Sequence, residues 1–330
     1  MKSAHAIALA IVLPPLAAEG LAQLVAGDSH PMPPMFATGE DGRWVLQPGA
    51  SVQSRSPDGR RSDIQIDRRG LRAPAQDALD WLVVGDSLAF GLGVSGEDTV
   101  SVAISERGRP TATAAVPGHS LAQALATADA HAHRVCGFIV LPNTVDDDRQ
   151  QRGLGGLERE VVGGWLLRPG APGWVRAFAE SSVSHRLQVP AALLQIWSMA
   201  AHLNGPASFA TLGWVDDPEQ GAKDYRKLGE SVRHFAENHP DHEVVTAWVP
   251  LPGVTVADRP APSVVESGRL PLNDEAIFQA FQQGLGALPL VDARPRLVEA
   301  AHFIDHDTHL SRRGHHHLAD LLVPRLPECR

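Results

Sequence analysis

The chain has 330 residues, of which 43% are hydrophobic and 20% are charged, so it is long enough to bury a sizeable core and is not of a disordered type. With 29 basic and 38 acidic residues the formal net charge is −9, which argues against general nucleic-acid binding because that needs a basic surface. Two cysteines, Cys136 and Cys329, exclude a disulfide framework and a cysteine zinc site. A single bridge between them stays open, without positive support.

The first 27 residues predict a secretory signal peptide or an N-terminal membrane anchor. Lys2 precedes an apolar stretch, residues 4–18, that contains no Asp, Glu, Lys or Arg and ends in small residues. This stretch is shorter than the ~20 residues of a comfortable membrane helix. We therefore expect an exported protein, periplasmic or extracellular. The alternative is an amphipathic helix packed on the domain.

Residues 28–78 predict a small β-rich lead-in, because residues 28–62 are rich in Pro, Gly, Ser and Arg and the segment contains two short extended pieces. These pieces are Arg43–Gln47 and Asp63–Asp67, and the second alternates with period two. Between them, Pro57-Asp58-Gly59 is typical of a turn. We do not expect this segment to be an independent domain.

Residues 79–330 predict a single domain in which strands and helices alternate. The apolar runs that predict strands are Trp81–Val84, Thr111–Val116, Gly137–Leu141, Glu243–Val249 and Leu288–Asp292. The predicted helices are Thr99–Arg107, Ser120–His133, 186–203, 223–238, Ala276–Gly284 and Arg312–Leu322. Continuous apolar strands separated by helices indicate a mainly parallel, five-stranded sheet covered on both faces, which is a three-layer α/β/α fold of flavodoxin-like type. Ligands of such sheets bind at the carboxyl ends of the strands.

A candidate nucleophile, Ser87, follows the first of these strands in Gly85-Asp86-Ser87. A serine is a weak nucleophile unless a base removes its proton. The tripeptide is equally typical of an ordinary strand-to-helix turn with a capping serine, so it needs a partner elsewhere in the chain.

That partner is predicted just before the last helix, in Asp305-His306-Asp307-Thr308-His309. A carboxylate close to a histidine can orient its ring and stabilise its charged form. Imidazole has an ordinary pKa of ~6.5, which suits a general base near neutral pH. A nucleophile after the first strand and an acid–base pair before the last helix together predict nucleophilic catalysis.

With these residues the sequence resembles the SGNH (GDSL-type) hydrolase family, in particular its exported bacterial members. Five segments carry the resemblance, in chain order: Ile66–Arg72, Gly85–Val94, Val116–Gly118, Pro142–Asn143 and Asp307–His315. The resemblance implies that Ser87 attacks the ester carbonyl, that His309 takes its proton and that Asp307 holds His309. It also implies an oxyanion hole made by the N–H groups of Ser87 and Gly118 and the side-chain amide of Asn143.

Some positions depart from the family pattern. Many members place the acid three residues before the histidine, where this chain has His306. Asp307 fits a subset of members, and Asp305 remains a competitor. Thr144 stands where an Asp often follows the oxyanion Asn, and Thr113 stands near the place of an Asn ahead of the oxyanion glycine. We expect no cofactor and no metal, although His302, His306 and His309 have a spacing that could suggest one.

The resulting hypothesis is a serine esterase that acts on a neutral acylated carbohydrate or a small ester. An O-acyltransferase that modifies an exported polysaccharide would use the same residues, and a non-catalytic binding protein on the same fold is the third alternative. The expected partner is the ester substrate, with no nucleic acid and with possible membrane attachment through the N-terminus.

Overall fold

The computed structural model describes residues 29–30, 33–56, 59–72, 77–142, 159–167, 169–181, 184, 218–250, 274–305 and 309–329. The predicted leader at 1–27 and the predicted helix at 186–203 lie outside these residues. Within the described part of the chain, no helix is both long enough and apolar enough to cross a membrane.

The N-terminal segment is built from short strands, as its composition predicts. In chain order they are β1 (Ser29–His30), β2 (Phe36–Thr38), β3 (Trp44–Leu46), β4 (Ser51–Arg55) and β5 (Arg61–Gln65). β2 pairs with β3, and β4 pairs antiparallel with β5 and parallel with β1. The inward side chains of these strands, such as Trp44 and Ile64, belong to the same apolar core as one face of the main sheet. The lead-in therefore packs on the domain that follows it.

The strands after the lead-in are β6 (Trp81–Gly85), β7 (Thr111–Thr113), β8 (Gly137–Leu141), β9 (Glu160–Val162), β10 (Trp165–Leu167), β11 (Glu243–Trp248) and β12 (Leu290–Asp292). Five of them form an all-parallel sheet in the order β7-β6-β8-β11-β12, and β9 and β10 form a separate antiparallel pair. The sheet contains all five predicted strands, although β7 ends three residues before the predicted Val116.

Seven helices are described: α1 (Ser87–Phe90), α2 (Val100–Ser105), α3 (Leu121–His131), α4 (Gly173–Glu180), α5 (Pro218–Asn238), α6 (Asp274–Leu285) and α7 (Arg312–Leu322). Short 3₁₀ turns lie at Gly96–Asp98, Ala132–Arg134, Ala300–His302 and Val323–Arg325. Ser120 and Ser311 cap α3 and α7, because their hydroxyl groups accept N–H bonds from the first turn of each helix.

The sheet lies between two apolar layers because its side chains alternate along each strand. Trp81 and Val83 pack with α2 and α7 on one face, while Leu82 and Val84 pack with α3, α5 and α6 on the other. The predicted three-layer α/β/α fold is confirmed. Its strand order along the chain is 2-1-3-4-5, so the order reverses between β6 and β8, where ligands of such sheets bind.

A disulfide bond joins Cys136, just before β8, to Cys329 near the C-terminus, with a Cα–Cα distance of 5.9 Å. The sequence left this bond open, without positive support for it. In the structure Cys136 is only half-buried, and the chain after α7 returns to the amino end of the central strand.

Candidate active site

Ser87 lies at the carboxyl end of β6, beside the point where the strand order reverses. Asp86 caps α1, because its Oδ1 accepts a hydrogen bond from the N–H of Leu88 at 2.9 Å. Ser87 is the first residue of α1 and is half-buried, whereas the rest of this short helix is buried. The turn therefore holds the Ser87 hydroxyl at the edge of the sheet, where part of it is open to solvent.

The residue before the capping Asp must be a glycine. Gly85 has φ +155°, a value that side-chain-bearing residues rarely adopt. A Cβ atom at Gly85 would stand 2.6 Å from the backbone oxygen of Leu141 in β8. The close approach of β6 and β8 at this end of the sheet thus depends on the missing side chain.

His309 reaches Ser87 from the other end of the chain. Its Nε2 lies 2.8 Å from the Ser87 Oγ, although the two residues are 222 positions apart. An antiparallel bridge between Phe303 and Leu310 joins the two ends of the segment that carries His309. The Ile304 N–H also donates to the His309 carbonyl, at 2.9 Å. A neutral ring whose Nε2 lacks a proton can accept the serine proton in this geometry.

Of the two candidate acids, the structure describes only one. Asp305 is exposed, and Asp307 lies outside the described residues together with His306 and Thr308. The choice between Asp305 and Asp307 therefore stays a prediction from sequence.

Gly118 lies on a turn next to the nucleophile. The Val116 N–H donates to the Gly85 carbonyl at 3.2 Å, which brings the residues after β7 beside the end of β6. The His119 N–H closes the turn on the Val116 carbonyl at 3.1 Å, and Gly118 has φ +81°. Pro142 is buried at the end of β8, and Asn143, the third predicted oxyanion donor, lies outside the described residues.

Arg72, to which sequence reasoning gave no role, is wholly buried beneath the nucleophile turn. Its guanidinium donates hydrogen bonds to the carbonyls of Phe90, Gly91 and Val94, and the bond to Gly91 measures 2.6 Å. It also lies over the Phe90 ring, 4.4 Å from the centroid. Burial lowers its pKa to about 9, so it remains charged at neutral pH. Arg72 therefore ties the lead-in to the turn that follows Ser87.

His315 approaches the same turn from α7. A Cβ atom at Gly91 would lie 3.3 Å from both the His315 Nε2 and an Arg72 nitrogen, so Gly91 is enclosed between the two side chains. Burial lowers the pKa of His315 to about 3, and the charge of Arg72 acts in the same direction. A neutral His315 thus fills the space under Gly91 without adding a second buried charge.

His302, one of the histidines whose spacing could suggest a metal, has hydrogen-bond partners at both ring nitrogens. The Glu299 N–H donates to the His302 Nδ1 at 3.2 Å, and the His302 Nε2 lies 3.2 Å from the His317 Nδ1. Among the residues with described positions, no group of three His, Cys, Asp or Glu is placed to hold a metal ion.

Two tryptophans between β8 and α5, Trp165 and Trp174, differ in exposure. Trp165 is buried in a small core between β9, β10 and α4, while Trp174 on α4 is 70% exposed. Of the two, only Trp174 presents a ring to solvent.

No family model matches the chain, and no curated protein does either. Solved structures are similar to it at low identity. It shares 11% identity with an acetyl xylan esterase, over 76% of this chain and 100% of the other, at a TM-score of 0.41.

Two further similar structures are hydrolases by description. One is described as a lipolytic protein of the G-D-S-L family from Desulfitobacterium hafniense, with 11% identity over 75% of this chain and 99% of the other at a TM-score of 0.38. The other is an alpha/beta hydrolase from the metagenome of Lake Arreo, with 10% identity over 76% and 95% at a TM-score of 0.39.

Proposed function

We propose that the protein is a serine esterase that removes an acyl group from a carbohydrate-like or small ester substrate. The observation that carries this proposal is the 2.8 Å distance between the His309 Nε2 and the Ser87 Oγ at the reversal point of the sheet. A hydroxyl and an imidazole in hydrogen-bond contact at an open strand edge are the minimum needed for nucleophilic catalysis.

The reaction has two steps in this proposal. The Ser87 Oγ attacks the ester carbonyl while its proton passes to the His309 Nε2, and the same proton then goes to the leaving alcohol. Water next gives a proton to His309 and attacks the acyl-enzyme, and His309 returns that proton to the Ser87 Oγ as the acid leaves. Asp307, or Asp305 in its place, would stabilise the charged imidazole in both steps.

The negative oxygen formed in each step needs hydrogen-bond donors. The N–H groups of Ser87 and Gly118 and the amide of Asn143 are the proposed donors, and the turn that carries Gly118 lies beside the end of β6. Loss of one such donor typically raises the barrier by ~2.7–4 kcal/mol.

Ser87→Ala tests the proposal. We expect wild-type protein to hydrolyse p-nitrophenyl acetate and the variant to lose at least about 10³-fold in kcat. Ser95→Ala is the matched control: Ser95 lies on the same chain segment, its hydroxyl accepts a hydrogen bond from the Asp63 N–H, and the variant should retain activity. Equal rates for wild type and Ser87→Ala would refute the esterase. Adding an oligosaccharide with free hydroxyl groups as acceptor separates hydrolysis from transfer, because acceptor acylation faster than hydrolysis would mean an acyltransferase.

We also propose that the protein is exported. The apolar stretch at residues 4–18 and the disulfide between Cys136 and Cys329 support this, since disulfides persist in oxidising compartments. Fusing residues 1–28 to a reporter enzyme that is active only after export should give activity in a bacterial host. Charging the apolar stretch with Leu9→Arg should abolish it. A wild-type fusion without reporter activity would contradict export.

A further inference from the structure

The peptide unit between Pro117 and Gly118 is held from behind by a residue of the lead-in. Trp44 in β3 donates a hydrogen bond from its indole Nε1 to the Pro117 carbonyl, at 3.3 Å. This carbonyl and the N–H of Gly118 are the two ends of one planar trans peptide, so they point in opposite directions. Fixing the carbonyl therefore fixes the direction of the Gly118 N–H.

The turn itself does not fix that direction. Pro117 and Gly118 are the two central residues of a four-residue turn, and the positive φ of Gly118 (+81°) is that of a type II turn. Rotating the central peptide by half a turn would produce a type I turn, in which the Gly118 N–H points the other way. Glycine accepts the backbone angles of both forms, so sterics at Gly118 favour neither strongly. A hydrogen bond to the Pro117 carbonyl selects between them.

Trp44 is itself held by the same turn. Its side chain is buried, and its backbone carbonyl lies 2.8 Å from the His119 Nε2. Burial lowers the pKa of His119 to about 4, so the ring is neutral at neutral pH and its Nε2 must carry the hydrogen that the Trp44 carbonyl accepts. The Trp44 and His119 rings also meet edge to face, with centroids 5.2 Å apart.

We propose that Trp44 is a positioning residue of the candidate active site: its indole N–H holds the Pro117 carbonyl so that the Gly118 N–H faces the oxyanion formed at Ser87. This inference rests on the proposed esterase function and adds a residue that neither the motifs nor the resemblance include. The lead-in then takes part in catalysis through Trp44 without touching the substrate.

Trp44→Phe removes the indole N–H and keeps an aromatic ring in the core. We expect kcat for p-nitrophenyl acetate to fall about 10-fold, which is less than the 10²–10³-fold cost of deleting an oxyanion donor because the peptide still visits the productive orientation. KM should change by less than about threefold, since ground-state binding does not use the oxyanion donors. Trp174→Phe, an exposed tryptophan with the same substitution, is the control and should match wild type.

A pair of variants at His119 separates positioning from folding. Glutamine can place its amide N–H near the Nε2 position and donate to the Trp44 carbonyl, whereas leucine cannot. We expect His119→Gln to keep most of kcat and His119→Leu to lose about as much as Trp44→Phe. If Trp44→Phe does not fold, as judged by circular dichroism, the His119 pair decides the question.

Two results would overturn the inference. One is a folded Trp44→Phe variant with wild-type kcat, and the other is equal kcat for His119→Gln and His119→Leu. Both apply only if Ser87→Ala is inactive in the same assay. An active Ser87→Ala variant would instead refute the proposed function, so the two failures are distinguishable.

Discussion

Arg72 is the clearest case of a residue whose importance the sequence does not reveal. Its guanidinium donates to the backbone carbonyls of Phe90, Gly91 and Val94. Every residue has a backbone carbonyl, so no side chain in the sequence marks these as the partners of Arg72. Ser87 and His309 could be singled out as candidates because each lies in a short motif beside a strongly patterned element: Ser87 follows strand β6, and His309 comes shortly before helix α7. The contact made by Trp44 was not predictable from sequence either, because its indole N–H also donates to a backbone carbonyl.

Arg72→Lys tests how much this buried guanidinium contributes. Lysine keeps the charge but cannot donate to three separate carbonyls, and each buried carbonyl left unpaired costs about 1–3 kcal/mol. We expect the free energy of unfolding in urea to fall by at least about 2 kcal/mol. Arg68→Lys, an exposed arginine of the same segment, is the control and should be neutral within about 0.5 kcal/mol. Equal stability of the two variants would contradict the role of Arg72.

At the scale of elements, the strands were predictable because each is a short apolar run, and buried parallel strands need no polar face. The residues at which the strands end were harder to predict. Thr111–Val116 reads as one run, yet only Thr111–Thr113 is a regular strand. The Ala114 and Val116 N–H groups still donate to the Val83 and Gly85 carbonyls of β6, and the turn that contains Gly118 follows directly. The role of the lead-in as support for two active-site turns could not be predicted, since it depends on tertiary contacts of Trp44 and Arg72.

The chain between Phe303 and Leu310 contains both candidate acids, Asp305 and Asp307, so one pair of variants compares them. We expect Asp307→Asn to lower kcat/KM by about 10³–10⁴-fold, because the charged imidazole loses its counter-charge and the ring its orientation. Asp305→Asn, the matched control, should change kcat/KM far less, since Asp305 is exposed. Steady-state kinetics of both variants decide the matter, and the reverse ranking would make Asp305 the acid.

For the whole molecule, two buried histidines make stability depend on pH. Burial lowers the pKa of His119 to about 4 and that of His315 to about 3, whereas an unfolded imidazole titrates near 6.5. In this window the unfolded chain binds protons that the folded chain does not. The free energy of unfolding therefore falls as the pH is lowered from about 6.5 towards 4.

The contribution of one histidine can be isolated with His119→Gln. This substitution removes on the order of 3 kcal/mol of acid destabilisation between pH 7 and pH 4. We expect the Tm of the variant to fall less steeply with decreasing pH than that of wild type. His234→Gln, at an exposed position, should leave the slope unchanged. Parallel Tm curves for wild type and His119→Gln would contradict the assigned protonation state.

The disulfide between Cys136 and Cys329 was not predictable, because two cysteines 193 positions apart carry no spacing signal. Its topology has a practical result. The bond closes a covalent ring that contains His309 but leaves Ser87 outside, so a single protease cut anywhere within the ring opens it without separating the fragments. Nicked protein should run as one band on a non-reducing gel and as two after reduction, with nucleophile and base still parts of one molecule.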